Sequence, residues 1–475
     1  MSAPKREGYR GQCTPGLAER RSYDPTKGAR TVHRLHNTVK NFDWGSTDAI
    51  PAILGAVPDG TPCAELWLGA HPMSPSQLDL AEERTTAARR RSGRLADSAS
   101  GSPTATAGTA TETGTRPGPN LIEYLAGDPH GLLGRDSVDA FGPRLPFLLK
   151  VLSASKALSI QVHPNREQAA TGFAREETAG PALDAPDRNY KDASAKPELI
   201  YALTDFHALT GFRPRKAVRA TFERMLSQPL TPPSLDFLGS VIGALKTLSE
   251  TKALSRTVEL LLADPRAAGL VDEVAAHGID EVPSGHPSRR GSAVDPAQTF
   301  CELVDDYPHD PGVLVGLMLN RVHLQPGESL TMEAGVLHAY LFGTGIEIMA
   351  SSDNVLRGGL TSKHVDIAEL SKVADFRAGM PRMVEPDHSG VLRGATDDFA
   401  LQVLRCPRLQ SLARRGAAIA LCTSGTITLT SLGSTVTLER GESVFISANE
   451  PTATADGHGD LFVATTGLEP AAPLV

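Results

Sequence analysis

Between Lys216 and about Ala276 the chain follows a pattern unlike anything on either side of it. Spaced Leu, Met and Val with intervening charges, as in Ala217-Val-Arg-Ala-Thr-Phe-Glu-Arg-Met-Leu226 and Val258-Glu-Leu-Leu-Leu262, have the spacing of helices. The flanks instead alternate apolar with polar residues around Gly and Pro breaks, as half-buried strands do. A helical block set into β text predicts a mainly β protein with a helical insertion, an α+β arrangement. At 475 residues the chain is also long for one hydrophobic core, and two or three domains are expected.

The boundaries follow from composition. Residues 1–30 lack apolar periodicity and are expected to form a disordered tail. A first β domain takes 31–215 plus 300–385. Its strands are expected around Leu35 to Trp44, at Ala64 to Gly69, Phe147 to Leu152, Leu158 to His163, Phe206 to Phe212 and Val313 to Leu319. Inside it, 87–119 shifts to Arg, Ser, Thr, Ala and Gly, which cannot recover their ordering entropy through burial, so a low-complexity loop is expected there. The helical domain covers 216–299, with His277 to Ala297 as its polar edge. From 386 to 475, short runs such as Gly425-Thr-Ile-Thr-Leu429 and Thr435-Val-Thr-Leu438 predict a second, C-terminal jelly roll. Its Gly441-Glu442-Ser443 turn repeats Gly327-Glu328-Ser329, but it has no counterpart of His163 or His338, so it is expected to be metal-free.

Charge and cysteine content narrow the class of function. With 47 Lys+Arg against 55 Asp+Glu the formal charge is −8, which offers no general attraction for nucleic acid. No apolar run approaches the roughly 20 residues that span a bilayer, and Met1 to Arg30 carries no hydrophobic signal segment, so a cytoplasmic protein without a membrane partner is expected. Cys13, Cys63, Cys301, Cys406 and Cys422 are odd in number, scattered and without a Cys-x-x-Cys pair, which predicts neither a disulfide framework nor a zinc ribbon.

The chemistry gathers at two remote stretches, Leu158-Ser-Ile-Gln-Val-His163-Pro164 and Gly335-Val-Leu-His338-Ala-Tyr340, the second followed by Asp353-Asn-Val-Leu-Arg357. Strand alternation turns Leu158, Ile160 and Val162 toward a core and Ser159, Gln161 and His163 to the other face. Pro164 is expected to end the strand. The same alternation aligns His338 with Tyr340, and Lys196-Pro197-Glu198 adds a carboxylate. Gln161, His163, Glu198 and His338 make a candidate divalent-metal set.

Taken together, these runs resemble type I phosphomannose isomerase, a family of the cupin superfamily also called mannose-6-phosphate isomerase. The matching text is Asn41-Phe42-Asp43-Trp44-Gly45-Ser46, Ala64 to Gly69 with His71-Pro72, Leu158 to Pro164, Lys191-Asp192, Lys196-Pro197-Glu198, Phe206 to Phe212, Leu337 to Leu341 and Glu347 through Asp366. The resemblance implies a cupin/jelly-roll catalytic domain and one Zn2+ per subunit, held by Gln161, His163, Glu198 and His338. It also implies an aldose-ketose isomerase that interconverts mannose 6-phosphate and fructose 6-phosphate through an enediol or enediolate, and a small-molecule sugar phosphate as the only partner of a monomer. By family position Arg357 stabilises developing charge, Ser159 and Lys363 meet the phosphate, and Trp44, Glu65, Tyr340 and Asp353 line the pocket. Glu347 is one candidate proton carrier, with Lys196 or a metal-bound water as rivals. Two departures stand out: Ser194-Ala195 replaces the family's Asn-His, and Glu333-Ala334-Gly335 precedes the last ligand where many cupins have proline.

Two other functions compete. A cupin dioxygenase would hold iron with two histidines and one carboxylate; the neutral glutamine and the Ser159/Lys363 pair favour a redox-inert ion and a sugar phosphate. A non-catalytic sugar-binding cupin predicts ligand binding without turnover, against which Arg357 and the full ligand set argue.

Overall fold

The computed structural model describes residues 32–79, 118–279, 296–432, 434–450 and 452–469. The expected tail at 1–30, the 87–117 part of the expected insertion and the 280–295 part of the helical domain's edge lie outside the described residues. The remainder is built on two antiparallel sheets. One joins Thr38–Lys40, Glu65–Gly69, Phe147–Ala154, Gln161–Val162, Glu198–Ala202, Phe206–Phe212, Leu319–Leu324, Ser329–Met332, His338–Ala350, Leu356–Arg357 and Arg382–Val384. The other joins Val32–His36, Gln77–Leu78, Val391–Arg393, Ala400–Arg405, Gln410–Ser411, Ala418–Ser431, Thr435–Glu439, Ser443–Ile446 and Ala453–Thr465. Within it Val32–His36 lies between Ser443–Ile446 and Gln77–Leu78, so early and late segments of the chain share hydrogen bonds.

The strand His338–Ala350 organises the first sheet. Its opening residues pair with Gln161–Val162 and Phe206–Phe212; after a bulge between Tyr340 and Phe342 it pairs with Phe147–Ala154 and Glu198–Ala202. The bend depends on Gly343, whose φ of 116° suits a residue without Cβ, and a Cβ there would come 2.4 Å from the Asp205 carbonyl oxygen.

Alternation divides the faces of this sheet. Leu66, Leu68, Phe147, Leu149, Val151, Ile346 and Ile348 share a core with Ile419, Leu421, Phe445 and Phe462 of the other sheet. Leu152, Ala154, Ile200 and Ala202 turn the opposite way, into the roll interior with Phe206, Leu330 and Tyr340. By the same parity Glu65, Trp67, Lys150, Glu198 and Glu347 belong to the interior face, and all five are buried.

The inserted helices Arg215–Arg224, Pro232–Thr247, Glu250–Ala263 and Arg266–His277, with Pro296–Asp306, bury Phe222, Phe237, Val241, Leu254, Val258 and Leu270 in one core with Ile160, Val162, Leu209, Leu337 and Leu356. Each fully buried side chain of this kind stabilises by roughly 1.5–3 kcal/mol. The helical block thus backs the strands that carry the candidate ligands. No described helix is long and apolar enough to cross a membrane.

Two local expectations differ. Val313 to Leu319 is not a strand: Gly312–Gly316 is a fully buried helical turn, its first amide capped by Asp310 at 2.7 Å, and the strand begins at Leu319. A short apolar run without alternation fits a buried helix as well as a strand. Leu158 packs in the roll interior with Tyr340 rather than beside Ile160 and Val162, because the regular strand comprises only Gln161–Val162.

Candidate metal centre

His163 follows the strand Gln161–Val162, and His338 opens the long strand, paired across from Gln161. The two ligand-bearing segments are also stitched directly, since the Gly335 amide donates to the His163 carbonyl at 2.8 Å. That turn needs φ = 81° at Gly335, with only 3.2 Å between an added Cβ and the Val373 carbonyl oxygen.

Each imidazole has its Nδ1 on a backbone carbonyl: His163 on Asn354 at 2.7 Å, His338 on Val336 at 2.9 Å. A carbonyl can only accept, so both protons sit on Nδ1 and both Nε2 lone pairs are left for a ligand. Those Nε2 atoms lie 3.2 and 3.3 Å from Glu198 Oε1 and Oε2, and the ligand atoms of the three residues all fall within 4.8 Å of one another. The group is buried, and His163 Nε2 makes no hydrogen bond. Buried acceptors facing one another are unfavourable unless a cation stands among them. Imidazole and carboxylate donors suit zinc.

The electrostatics keep His163 and Glu198 deprotonated. Burial, reinforced by Lys196, pushes the His163 imidazole down to about 4. Burial alone would raise the Glu198 carboxyl, but Lys196 and then His163 hold it well below its ordinary value. Metal ligation needs both in this form. Lys196 Nζ is 2.9 Å from Glu198 Oε1. Gln161 is half-buried; its amide nitrogen donates to Ser159 Oγ at 3.3 Å, which makes Oε1 the atom suited to a cation.

Beside this group lies a second buried cluster. Glu347 Oε2 is 3.0 Å and Glu65 Oε1 3.5 Å from Lys150 Nζ, and Trp67 Nε1 donates to Glu65 Oε2 at 2.6 Å. Lys150 sits across from both Glu347 and Trp67 in the ladder. Burial opposes its charge, yet Glu347, Glu65 and Glu198 outweigh burial and raise the ammonium above its usual range. The Glu347 carboxyl is itself raised, chiefly by burial. Tyr340 is buried with a hydroxyl that makes no hydrogen bond, and burial and the nearby Glu347 raise it well above 10. Trp44, stacked on Phe42 at 5.7 Å, packs against the cluster that holds Tyr340.

Arg357, Asp353 and Lys363 meet in a cavity of about 500 Å3, with Arg188, Lys191 and His364 on its walls. Ser159 is not on those walls; it precedes by two residues Gln161, which is paired across the ladder with Arg357. Asp353 Oδ1 is 3.3 Å from His71 Nε2, and the buried His71 ring meets Trp67 edge-on at 4.9 Å.

Sequence reasoning missed Lys150, His71 and Asn354. Lys150 had a signal: a lysine on the interior parity of an otherwise apolar strand, Phe147-Leu-Leu-Lys150-Val-Leu, needs a buried carboxylate. His71 stands in the sequence only as part of the His71-Pro72 run; its place just after the strand bearing Glu65 and Trp67 was the available clue.

A jelly roll that turns two imidazoles and a carboxylate inward defines a cupin-type metal-binding protein. Comparison narrows the class. The family model described as phosphomannose isomerase type I, catalytic domain, matches residues 32–102 and 116–215, and that for the mannose-6-phosphate isomerase cupin domain matches 393–466. The chain is 34% identical over 440 residues to mannose-6-phosphate isomerase of Escherichia coli, covering 90% of this chain and 98% of that one. The enzyme of Rattus norvegicus is 28% identical over 459 residues, covering 88% and 94%. A crystal structure of a phosphomannose isomerase variant from Salmonella typhimurium superposes with a TM-score of 0.74 at 30% identity, covering 92% of this chain and all of the other. A zinc-bound mannose 6-phosphate isomerase gives 0.73, with the same identity and coverage. The chain belongs to the type I phosphomannose isomerase family.

Proposed function

We propose that this chain interconverts mannose 6-phosphate and fructose 6-phosphate with one zinc ion held by His163, Glu198, His338 and Gln161. The observation that carries the reading is the buried His163–Glu198–His338 group, joined through the Gln161–Arg357 pair to a cavity with Lys363 on its wall. When bound, zinc supplies a Lewis acid that polarises or orients a sugar oxygen.

The chain's own residues supply the rest. Lys363 and Ser159 hold the phosphate dianion, one as a cation and the other as a hydroxyl donor. Arg357, half-buried and paired across from Gln161, stabilises the charge that develops on the enediolate. Trp44, Glu65, Tyr340 and Asp353 shape the remaining wall. Moving a proton between C2 and C1 needs a base on the carbon side and a proton donor on the oxygen side. Glu347, whose carboxyl burial makes more basic, suits the first; Lys196, with its ammonium on a metal ligand, suits the second.

The test is a coupled assay for fructose 6-phosphate production from mannose 6-phosphate. Activity is expected to vanish on chelation and return with zinc, and His338→Ala is expected to stay inactive at zinc levels that restore the parent. Turnover that survives complete metal removal sinks the reading.

A further inference from the structure

We infer that Asn354 is a positioning residue that sets the metal affinity of the His163–Glu198–His338 group. The inference rests on the zinc reading above and goes beyond it. Asn354 is fully buried, and its side chain uses both ends of the amide. Its Oδ1 accepts from the backbone amides of Lys191 and Asp192 at 2.7 and 3.2 Å, and its Nδ2 donates to the carbonyls of Asp192 and Ser194 at 2.7 and 2.9 Å. An asparagine amide offers one acceptor and two donors, so this pocket satisfies it completely. The backbone carbonyl of the same residue receives the His163 Nδ1 proton at 2.7 Å.

Two ligands therefore depend on one residue. The carbonyl fixes the tautomer and ring orientation of His163. The amide clamps 191–194, the run-up to Lys196-Pro197-Glu198, and so sets where Glu198 begins its strand. Asp192 completes the clamp from the other side, accepting from Ser352 Oγ and the Asp353 amide at 2.9 Å each. Ser352 Oγ also reaches the Ser194 carbonyl at 3.2 Å. The clamp grips Ser194 by its backbone, while the Ser194 hydroxyl faces Arg144 at 3.1 Å. Residue 194 can thus differ from the family's usual asparagine without loosening the site. Asparagine at 354 has no such freedom: aspartate would set a carboxylate against the carbonyls of Asp192 and Ser194, and leucine would take away the partner of the Lys191 and Asp192 amides and of the Asp192 carbonyl, leaving the Ser194 carbonyl to Ser352 alone.

The test uses the full-length protein stripped of metal and measures its zinc dissociation constant by competition with a chromophoric chelator, in parent, Asn354→Leu and Ser352→Ala. Outer-shell partners of ligating histidines typically command about 10–100-fold in affinity. Asn354→Leu is expected to weaken zinc binding by about that factor, with KM for the sugar phosphate little changed at saturating zinc. A folded Asn354→Leu protein with parental zinc affinity overturns the inference, since a merely structural role would lower the melting temperature alone. Should Asn354→Leu not fold, Ser352→Ala carries the test: a smaller weakening in the same direction is expected, and parental affinity overturns the inference. A parent that binds no zinc overturns the functional reading instead.

Discussion

Lys150 shows how one side chain can be indispensable without touching the metal group. The interior of the roll holds the carboxylates of Glu65, Glu347 and Glu198, and Lys150 contacts the first two. A buried charge is tolerated only when paired, and removing one partner of such a pair typically destabilises by about 3–5 kcal/mol. Lys150→Met, which keeps most of the volume, is expected to lose stability in that range in urea unfolding. Glu347→Gln relieves part of the like charge, so the double variant is expected to lie closer to the parent than the sum of the two single losses. A Lys150→Met variant as stable as the parent would show that the cluster is not coupled in this way.

At the scale of elements, the wall of the Arg357 cavity is held by a lock between a helix and a loop. Tyr190 is buried, donates to Glu369 at 2.8 Å, and lies against Gly172 of the helix Arg166–Ala179; a Cβ at Gly172 would come 2.3 Å from its ring. Glycine to alanine inside a helix ordinarily stabilises by about 1 kcal/mol. Here overpacking of about 1–3 kcal/mol opposes it. Gly172→Ala is therefore expected to lower the melting temperature and raise KM for the sugar phosphate through the displaced loop; a rise in melting temperature would refute the lock. The lock also carries a pH signature. Burial alone would raise the Glu369 carboxyl, but hydrogen bonds from Lys372, Arg175 and Tyr190 hold it below 4.5. Its contribution is present above about pH 4.5 and is lost as pH falls through the lower folded value. The stability difference between parent and Glu369→Gln is thus expected to shrink as the pH falls below about 4.5. Elements of this kind were unequally legible. Strand Phe206–Phe212 stands in the sequence as it folds, and the paired Gly327-Glu328 and Gly441-Glu442 turns are one structure built twice, each glutamate capping the amide three residues before it, of Gln325 and Glu439. Gly312–Gly316 was misread because burial on all sides erases periodicity. His163 and His338 were legible because alternation and motif agree on them. Asn354 and Tyr190 were not, because each draws its role from segments more than a hundred residues away or from a face that local pattern does not encode.

For the whole molecule, the decisive fact is that the first sheet shares one core with the second, Phe147, Leu149 and Ile348 packing with Ile419, Phe445 and Phe462. The Val32–His36 strand adds backbone bonds to Ser443–Ile446. A shared core couples the stability of the two sheets, so zinc bound in one is expected to protect both. The chain supplies its own pair of probes. Both of its tryptophans, Trp44 and Trp67, lie in the first sheet's roll, whereas Cys422 is fully buried in the second sheet's own core, its thiol pushed up to about 11 by burial. Among the described cysteines Cys301 and Cys406 are exposed and Cys63 is half-buried, so with Cys13 and Cys63 replaced by serine the fully buried Cys422 remains as the slow, unfolding-gated thiol. In urea, tryptophan fluorescence and Cys422 labelling are expected to share one midpoint. Adding zinc at about 1,000 times its dissociation constant is expected to move both together, by about 4 kcal/mol. If chelation shifts the tryptophan transition and leaves Cys422 labelling where it was, the shared core is too weak to couple the sheets, and the C-terminal roll folds on its own account.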